Sequence, residues 1–124
     1  MAAGFVPITP LRLSDTRRTE VVGALDGTAG PLEVRVVTSP TVGEQRVVAA
    51  SLNITAVDTE TNEYGGFVTV YPCGTRPDSS NLNFASGMTV ANGVTVPISR
   101  DGRVCLYVYG QTDLLVDLNG LITS

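Results

Sequence analysis

Apolar and polar residues alternate along most of this chain, with the two-residue period of β-strands and not the 3.6-residue period of a helix. The clearest stretch is Val47–Val57. There Val48, Ala50, Leu52, Ile54 and Ala56 fall on one face, and Ser51, Asn53 and Thr55 on the other. The same pattern predicts strands over Leu11–Asp15, Leu32–Val37, Gly66–Tyr71, Asn81–Phe84, Thr89–Val96, Val104–Tyr109 and Leu114–Leu121. Turn residues fill the breaks, as in "LDGTAGP", "NEYGG", "PCGTRPDSS" and "ASGM". Asp101-Gly102 between two strand patterns is a hairpin signal, and Asp58–Gly66 reads as a longer hairpin loop. No convincing amphipathic helix is present. The expected fold is all-β: one domain over residues 1–124, a β-sandwich or jelly roll of about eight short antiparallel strands.

One detail sits awkwardly in that pattern. Strands disfavour Asp and Asn, yet "VDLNGL" near the end of the chain carries both. The pair Leu-Asn also occurs at Leu52-Asn53 and Leu82-Asn83. Each pair puts an apolar group on one face and an amide on the other. Asn53, Asn83 and Asn119, with Asn92 in "VANGV", therefore form a candidate set. Three readings of it stand open: a polar layer that supports the sheet, a subunit interface, or a glycan site. Amides both donate and accept, as sugar hydroxyls require. Tyr71, Tyr107 and Tyr109, together with Tyr64, offer flat platforms for sugar rings, although the chain has no Trp. Val47, Ala49, Val57, Leu115 and Leu121 share the amide face by this reading. A face so apolar calls for a cover, which suggests a homo-oligomer or docking on a repeating particle surface.

Composition narrows the function more than the fold. Hydrophobic residues make up 43% and charged residues 16%, as in a globular domain. The net charge is −4, and all eight basic residues are Arg. That speaks against nucleic acid as a partner, since phosphate binding needs clustered positive charge. No apolar run approaches the roughly 20 residues of a membrane span. No basic start leads into an apolar stretch, so no signal peptide is visible: either one was removed, or the protein leaves its cell another way. The start at Met1 fits a small gene product released by lysis, and equally a trimmed chain with an added Met.

The chain has no His, which removes the commonest general base and any Ser-His-Asp or Cys-His device. Asp58, Glu60 and Glu63 sit in one loop and read as a solvated tip, not as carboxylates facing across a cleft. Asp58, Glu60 and Asn62 alternate like oxygen ligands for calcium, but the rest of an EF-hand pattern is missing. No catalytic residue, metal or cofactor is expected. Cys73 and Cys105 are too few for a zinc site. They are expected to pair as a disulfide, which implies an oxidising location; the alternative is two unpaired thiols. Asp15 and Arg17 share a face if that stretch is extended. They read as a structural ion pair tying the first strand to a neighbour through Asp117.

Several motifs in order carry a resemblance: "FVPITPLRLSDTR", "SLNITAVD", "GGFVTVYPCGTRPDSSNLNFASGMTVANGVTVPI" and "VDLNG". The chain resembles an all-β module marked by Pro-x-Arg-x-x-Asp-Thr-Arg, here Pro10, Arg12, Asp15, Thr16 and Arg17. Such modules occur in extracellular and surface proteins of actinobacteria and other soil bacteria. The resemblance covers nearly the whole chain and implies a non-catalytic surface module, without implying a ligand. Family members often end Gly-Tyr or Gly-Tyr-Phe, where this chain has Gly120-Leu121-Ile122, and the Asp58–Gly66 loop is longer than usual. The function expected is a non-enzymatic structural or attachment module on the outside of a particle. Foremost is a virion surface protein, a capsid decoration or tail component, of an actinobacterial phage. The alternative is a secreted glycan- or cell-wall-binding module of a larger bacterial envelope protein.

Overall fold

A computed structural model of the chain describes residues 4–124. Nine strands follow one another: β1 (Gly4–Asp15), β2 (Leu32–Arg35), β3 (Thr41–Val42), β4 (Gln45–Glu60), β5 (Gly66–Pro72), β6 (Leu82–Phe84), β7 (Val90–Pro97), β8 (Arg103–Tyr109) and β9 (Gln111–Thr123). One turn of 3-10 helix, Thr16–Arg18, follows β1. All strand pairs are antiparallel. In the first sheet the order is β1-β9-β4, and β4 also pairs with β3 at its start and with β7 along its middle. The second sheet has the order β2-β8-β5-β6. The two pack face to face as an all-β sandwich, in agreement with the fold expected from the sequence.

Three expectations need correction. The first strand begins at Gly4, not Leu11, and β3 was not foreseen: two residues closed onto β4 by a Gly43-Glu44 turn give little period-2 signal. The Asp101-Gly102 and Asp58–Gly66 stretches do not close hairpins. Each carries the chain from one sheet to the other, from β7 to β8 and from β4 to β5. Turn chemistry at Gly102 is right, with φ at +86° and its N–H donating to the Ser99 carbonyl. The partners of the flanking strands are chosen by burial across the sandwich, which a local turn does not encode.

The third correction concerns faces. Ala50, Leu52, Ile54 and Ala56 of β4 point into the core as expected, but Val48 does not; it is 37% exposed, while Val47 is buried. β4 bulges there, so that Val47 and Ala49 oppose consecutive residues, Thr123 and Ile122. The extra residue, Val48, is left outside. A second bulge lies on β9, where Ser51 and Leu52 oppose Gly120 and Leu118 and Asn119 is the extra residue. As a result Leu118 and Leu121, three apart, both join the core. Val47 and Leu121 therefore leave the supposed amide face, and only Ala49, Val57 and Leu115 remain of that apolar set. From the second sheet Val34, Val68, Val70, Val104, Leu106 and Val108 meet these side chains in the core.

Glycines mark where rings approach the backbone. A methyl group on Gly120 would stand 2.3 Å from the Phe5 ring, which crosses the β9 bulge from β1. Phe5 is 57% exposed and free to swing aside. Gly66 is different. There a methyl group would meet the buried Phe84 ring at 2.3 Å and the Tyr109 carbonyl oxygen at 2.8 Å. Gly93 has nothing nearer than the Leu52 carbonyl oxygen at 4.0 Å. Gly66→Ala should thus destabilise by about 1–3 kcal/mol through overpacking. Gly93→Ala should stay within about 0.5 kcal/mol of the parent. Urea unfolding midpoints of the two variants test this, and equal effects would refute it.

Candidate ligand-binding cleft

The outer face of the second sheet does not follow the usual polar pattern of a solvated face. With Val68 and Val70 pointing inward, β5 turns Phe67, Thr69 and Tyr71 outward; β8 likewise turns Cys105, Tyr107 and Tyr109 outward. Register brings them side by side, as Phe67–Tyr109, Thr69–Tyr107 and Tyr71–Cys105. The Phe67 and Tyr109 rings lie parallel with centroids 5.6 Å apart, and Phe67 meets Tyr107 tilted at 6.1 Å. The phenol of Tyr107 donates to the Gly27 carbonyl at 3.0 Å, and that of Tyr109 accepts from the Asn62 amide at 3.1 Å.

The segment 74–80 rises beside this floor and is fastened at both ends. At its start Cys73 is bonded to Cys105, with Cα atoms 4.9 Å apart. At its end the Thr69 hydroxyl donates to the Ser79 carbonyl, the Asn81 amide oxygen accepts from Val70 N–H at 2.8 Å, and Asn81 N–H donates to the Val68 carbonyl. Between these anchors the Arg76 guanidinium lies over the Tyr107 ring, 3.6 Å from its centroid. The result is an open cleft of about 760 Å³ lined by Phe67, Thr69, Tyr107 and Tyr109 below, and by residues from Arg76 to Ser80 at the side. That volume lies within the range of ligand sites. Among the described residues, ion pairs join Arg12, Arg17 and Arg103 to acidic partners; Arg76 and Asp78 take part in none.

The four amides are not brought together. Asn53 is half-buried on the outer face of the first sheet, its amide 3.5 Å from the Thr55 hydroxyl. Asn119 is the bulge residue of β9. Asn92, on β7, donates to the Asn81 carbonyl at 2.6 Å and so joins the two sheets along one side. Asn83 is exposed on β6, opposite Phe67, but does not line the cleft. Of the tyrosines, Tyr107 and Tyr109 line it, whereas Tyr71 is buried beside the disulfide and Tyr64 is 81% exposed elsewhere. Phe67, Arg76 and Asp78 were not singled out from the sequence. The alternation in "GFVTVYP" did place Phe67 opposite Val68; nothing local placed Arg76 over Tyr107.

The Asp15-Thr16-Arg17 motif has a structural task. Asp15 caps the 3-10 turn, accepting from Arg17 N–H at 3.1 Å and from its guanidinium at 2.9 and 2.7 Å. The two meet because the chain turns there, not because it is extended. The contact across to β9 is made instead by Arg12, which holds Asp117, and by Thr16. The buried Thr16 hydroxyl donates to Asp113 and accepts from Leu114 N–H, both at 2.9 Å. The bidentate Arg17 pair keeps the Asp15 carboxyl well below the usual carboxylate range. Asp58, Glu60 and Glu63 form no ligand group; among the described residues only Glu33, Cys73 and Cys105 cluster, and the disulfide occupies both sulfurs. No described helix is long and apolar enough to cross a membrane. No protein-family model and no curated protein matches the chain.

Two predictions follow from these contacts. The disulfide closes a loop with a sequence separation of 32, so its reduction should lower stability by roughly 3–4 kcal/mol on the chain-entropy account. Thermal unfolding with and without reductant measures the loss, and an unchanged midpoint would contradict it. For Asp15 the folded-state pKa is depressed, so its contribution is present above the unfolded value of about 3.9 and fades as pH falls below it. Asp15→Asn should be less stable than the parent at neutral pH, and the gap should close on acidification. A gap independent of pH would show that the carboxylate charge does not matter.

Proposed function

We propose that the chain is a non-enzymatic attachment module working outside the cytosol, on a virion surface or a bacterial envelope, and that it holds its target in the Arg76–Tyr107 cleft. The observation that carries this reading is the grouping of three half-buried aromatic side chains, Phe67, Tyr107 and Tyr109, beside Arg76 on the outer face of the second sheet. The core is complete without them, and their contact with solvent is unfavourable unless something covers them. The disulfide supports a location in an oxidising compartment. The surface-module resemblance points the same way.

Nothing about the cleft calls for turnover. Its only carboxylate is Asp78, so paired acid–base chemistry has no second member there. The cleft's floor is set by strands and its wall by a segment anchored at both ends. Such a site is suited to holding a shape that arrives already formed.

The test is co-sedimentation of the purified protein with actinobacterial cell envelopes and with virions depleted of it. Parent protein should pellet with one of these. A variant carrying Arg76→Ala and Tyr109→Ala should remain in the supernatant while keeping a cooperative unfolding transition. A parent that pellets with neither, or a variant that pellets equally well, would overturn the proposal.

A further inference from the structure

We infer, on the footing of the attachment reading, that the cleft takes a saccharide, packed by its ring C–H faces against Phe67, Tyr107 and Tyr109 and hydrogen-bonded through its hydroxyls between Arg76 and Asp78. The floor supplies flat apolar area. The wall supplies polar groups with unfilled capacity. Arg76 lines the cleft, rests on the Tyr107 ring and makes no ion pair among the described residues, so its guanidinium is left without an internal carboxylate. Asp78 has no cation and no internal donor among those residues, and the Ser80 hydroxyl likewise has no internal partner. Tyr109 accepts from Asn62 and retains its own proton for donation.

A ligand that fits must therefore be apolar over part of its surface and, close by, must offer acceptors to a guanidinium and donors to a carboxylate. A hydroxyl does both, and a sugar ring carries several around an apolar face. The cleft's one cation and one anion balance, so the site does not demand a charged ligand. A proline-rich peptide also suits aromatic grooves. It offers carbonyl acceptors to Arg76, but few donors, and would leave Asp78 desolvated and unpaired, which is costly. Strand addition beside Phe67 is closed too, because β5 is paired there on both edges, with β8 and β6.

The probes are a panel of immobilised tetrasaccharides, neutral, N-acetylated and uronic-acid-containing, with a proline-rich peptide alongside. The same envelopes or virions used above are added after periodate oxidation or after protease digestion. At least one tetrasaccharide should bind the parent, with Arg76→Ala, Asp78→Asn and Phe67→Ala each raising the Kd about tenfold. Periodate should abolish particle binding and protease should spare it. Asp78→Asn separates recognition from folding, since this exposed carboxylate has no partner in the fold to lose. If no tetrasaccharide binds, or binding to particles survives periodate yet still depends on Arg76, the saccharide is wrong and the attachment reading stands. If particle binding ignores every cleft variant, the attachment reading falls with it.

Discussion

The antiparallel pairing of β4 with β9 is the constraint on which the rest of the domain depends. These are the longest strands, 16 and 13 residues, and β1, β3 and β7 are all built onto them. A strict two-residue alternation over such a length would hold only if both strands stayed in step while the sheet twists. They do not. Bulges at Val48 and Asn119 and an irregularity between Val57 and Glu60 reset the alternation. Asp58, at that third site, is the one described non-glycine residue with positive φ, at 53°. Each reset adds a residue that faces neither partner squarely and returns the next apolar side chains to the core. A slip of one residue in the middle would instead turn Leu52 and Ile54 to solvent. The amide and glycine of "VDLNGL" are thus register devices: Asn119 is the added residue, and Gly120 clears the path of the Phe5 ring.

This explains what was legible in the sequence and what was not. Strand existence and type could be read because alternation survives within each segment between bulges. The inward set Ala50, Leu52, Ile54 and Ala56 is such a segment. Val48 was assigned to the wrong face, and Val47 and Leu121 with it, because a bulge has no composition of its own in a run of valines. The two apparent hairpins failed for a related reason. A turn sequence specifies how the chain bends, whereas the choice between pairing back and crossing to the other sheet is made by the burial available to the next strand.

The candidate site was half legible on the same terms. Tyr107 and Tyr109 alternate with Val108 in an obvious strand, so their shared outward face could be seen. Phe67 carried the same signal on β5 but became significant only once register placed it beside Tyr109. Arg76 lies in an irregular segment, and its position over Tyr107 depends on the disulfide and on hydrogen bonds from Thr69 and Asn81. The amides misled for the opposite reason. Leu-Asn recurs in the sequence, but its three copies fall on different sheets and at a bulge, where each answers a local need.

Rigidity links the disulfide to the cleft. Cys105 and Tyr107 are neighbours on one face of β8, so a bond from Cys105 to Cys73 starts the wall segment beside the ring that Arg76 covers. Stacking on Tyr107 is worth roughly 0.5–1 kcal/mol at an exposed site. That alone restrains a long side chain weakly, since the rotamer entropy of Arg is of comparable size or larger. With both ends of the segment anchored, the backbone beneath Arg76 has already lost its freedom during folding, and the weak stack suffices to orient the guanidinium. On the attachment proposal, the ordering cost of the wall would then be met before any ligand arrives, which is how a shallow, mostly solvated cleft could bind without deeper burial. Cys73 and Cys105 lie outside the main hydrophobic cluster, on the outer face of the second sheet. The disulfide's position is best understood through the wall that it holds against the sheet.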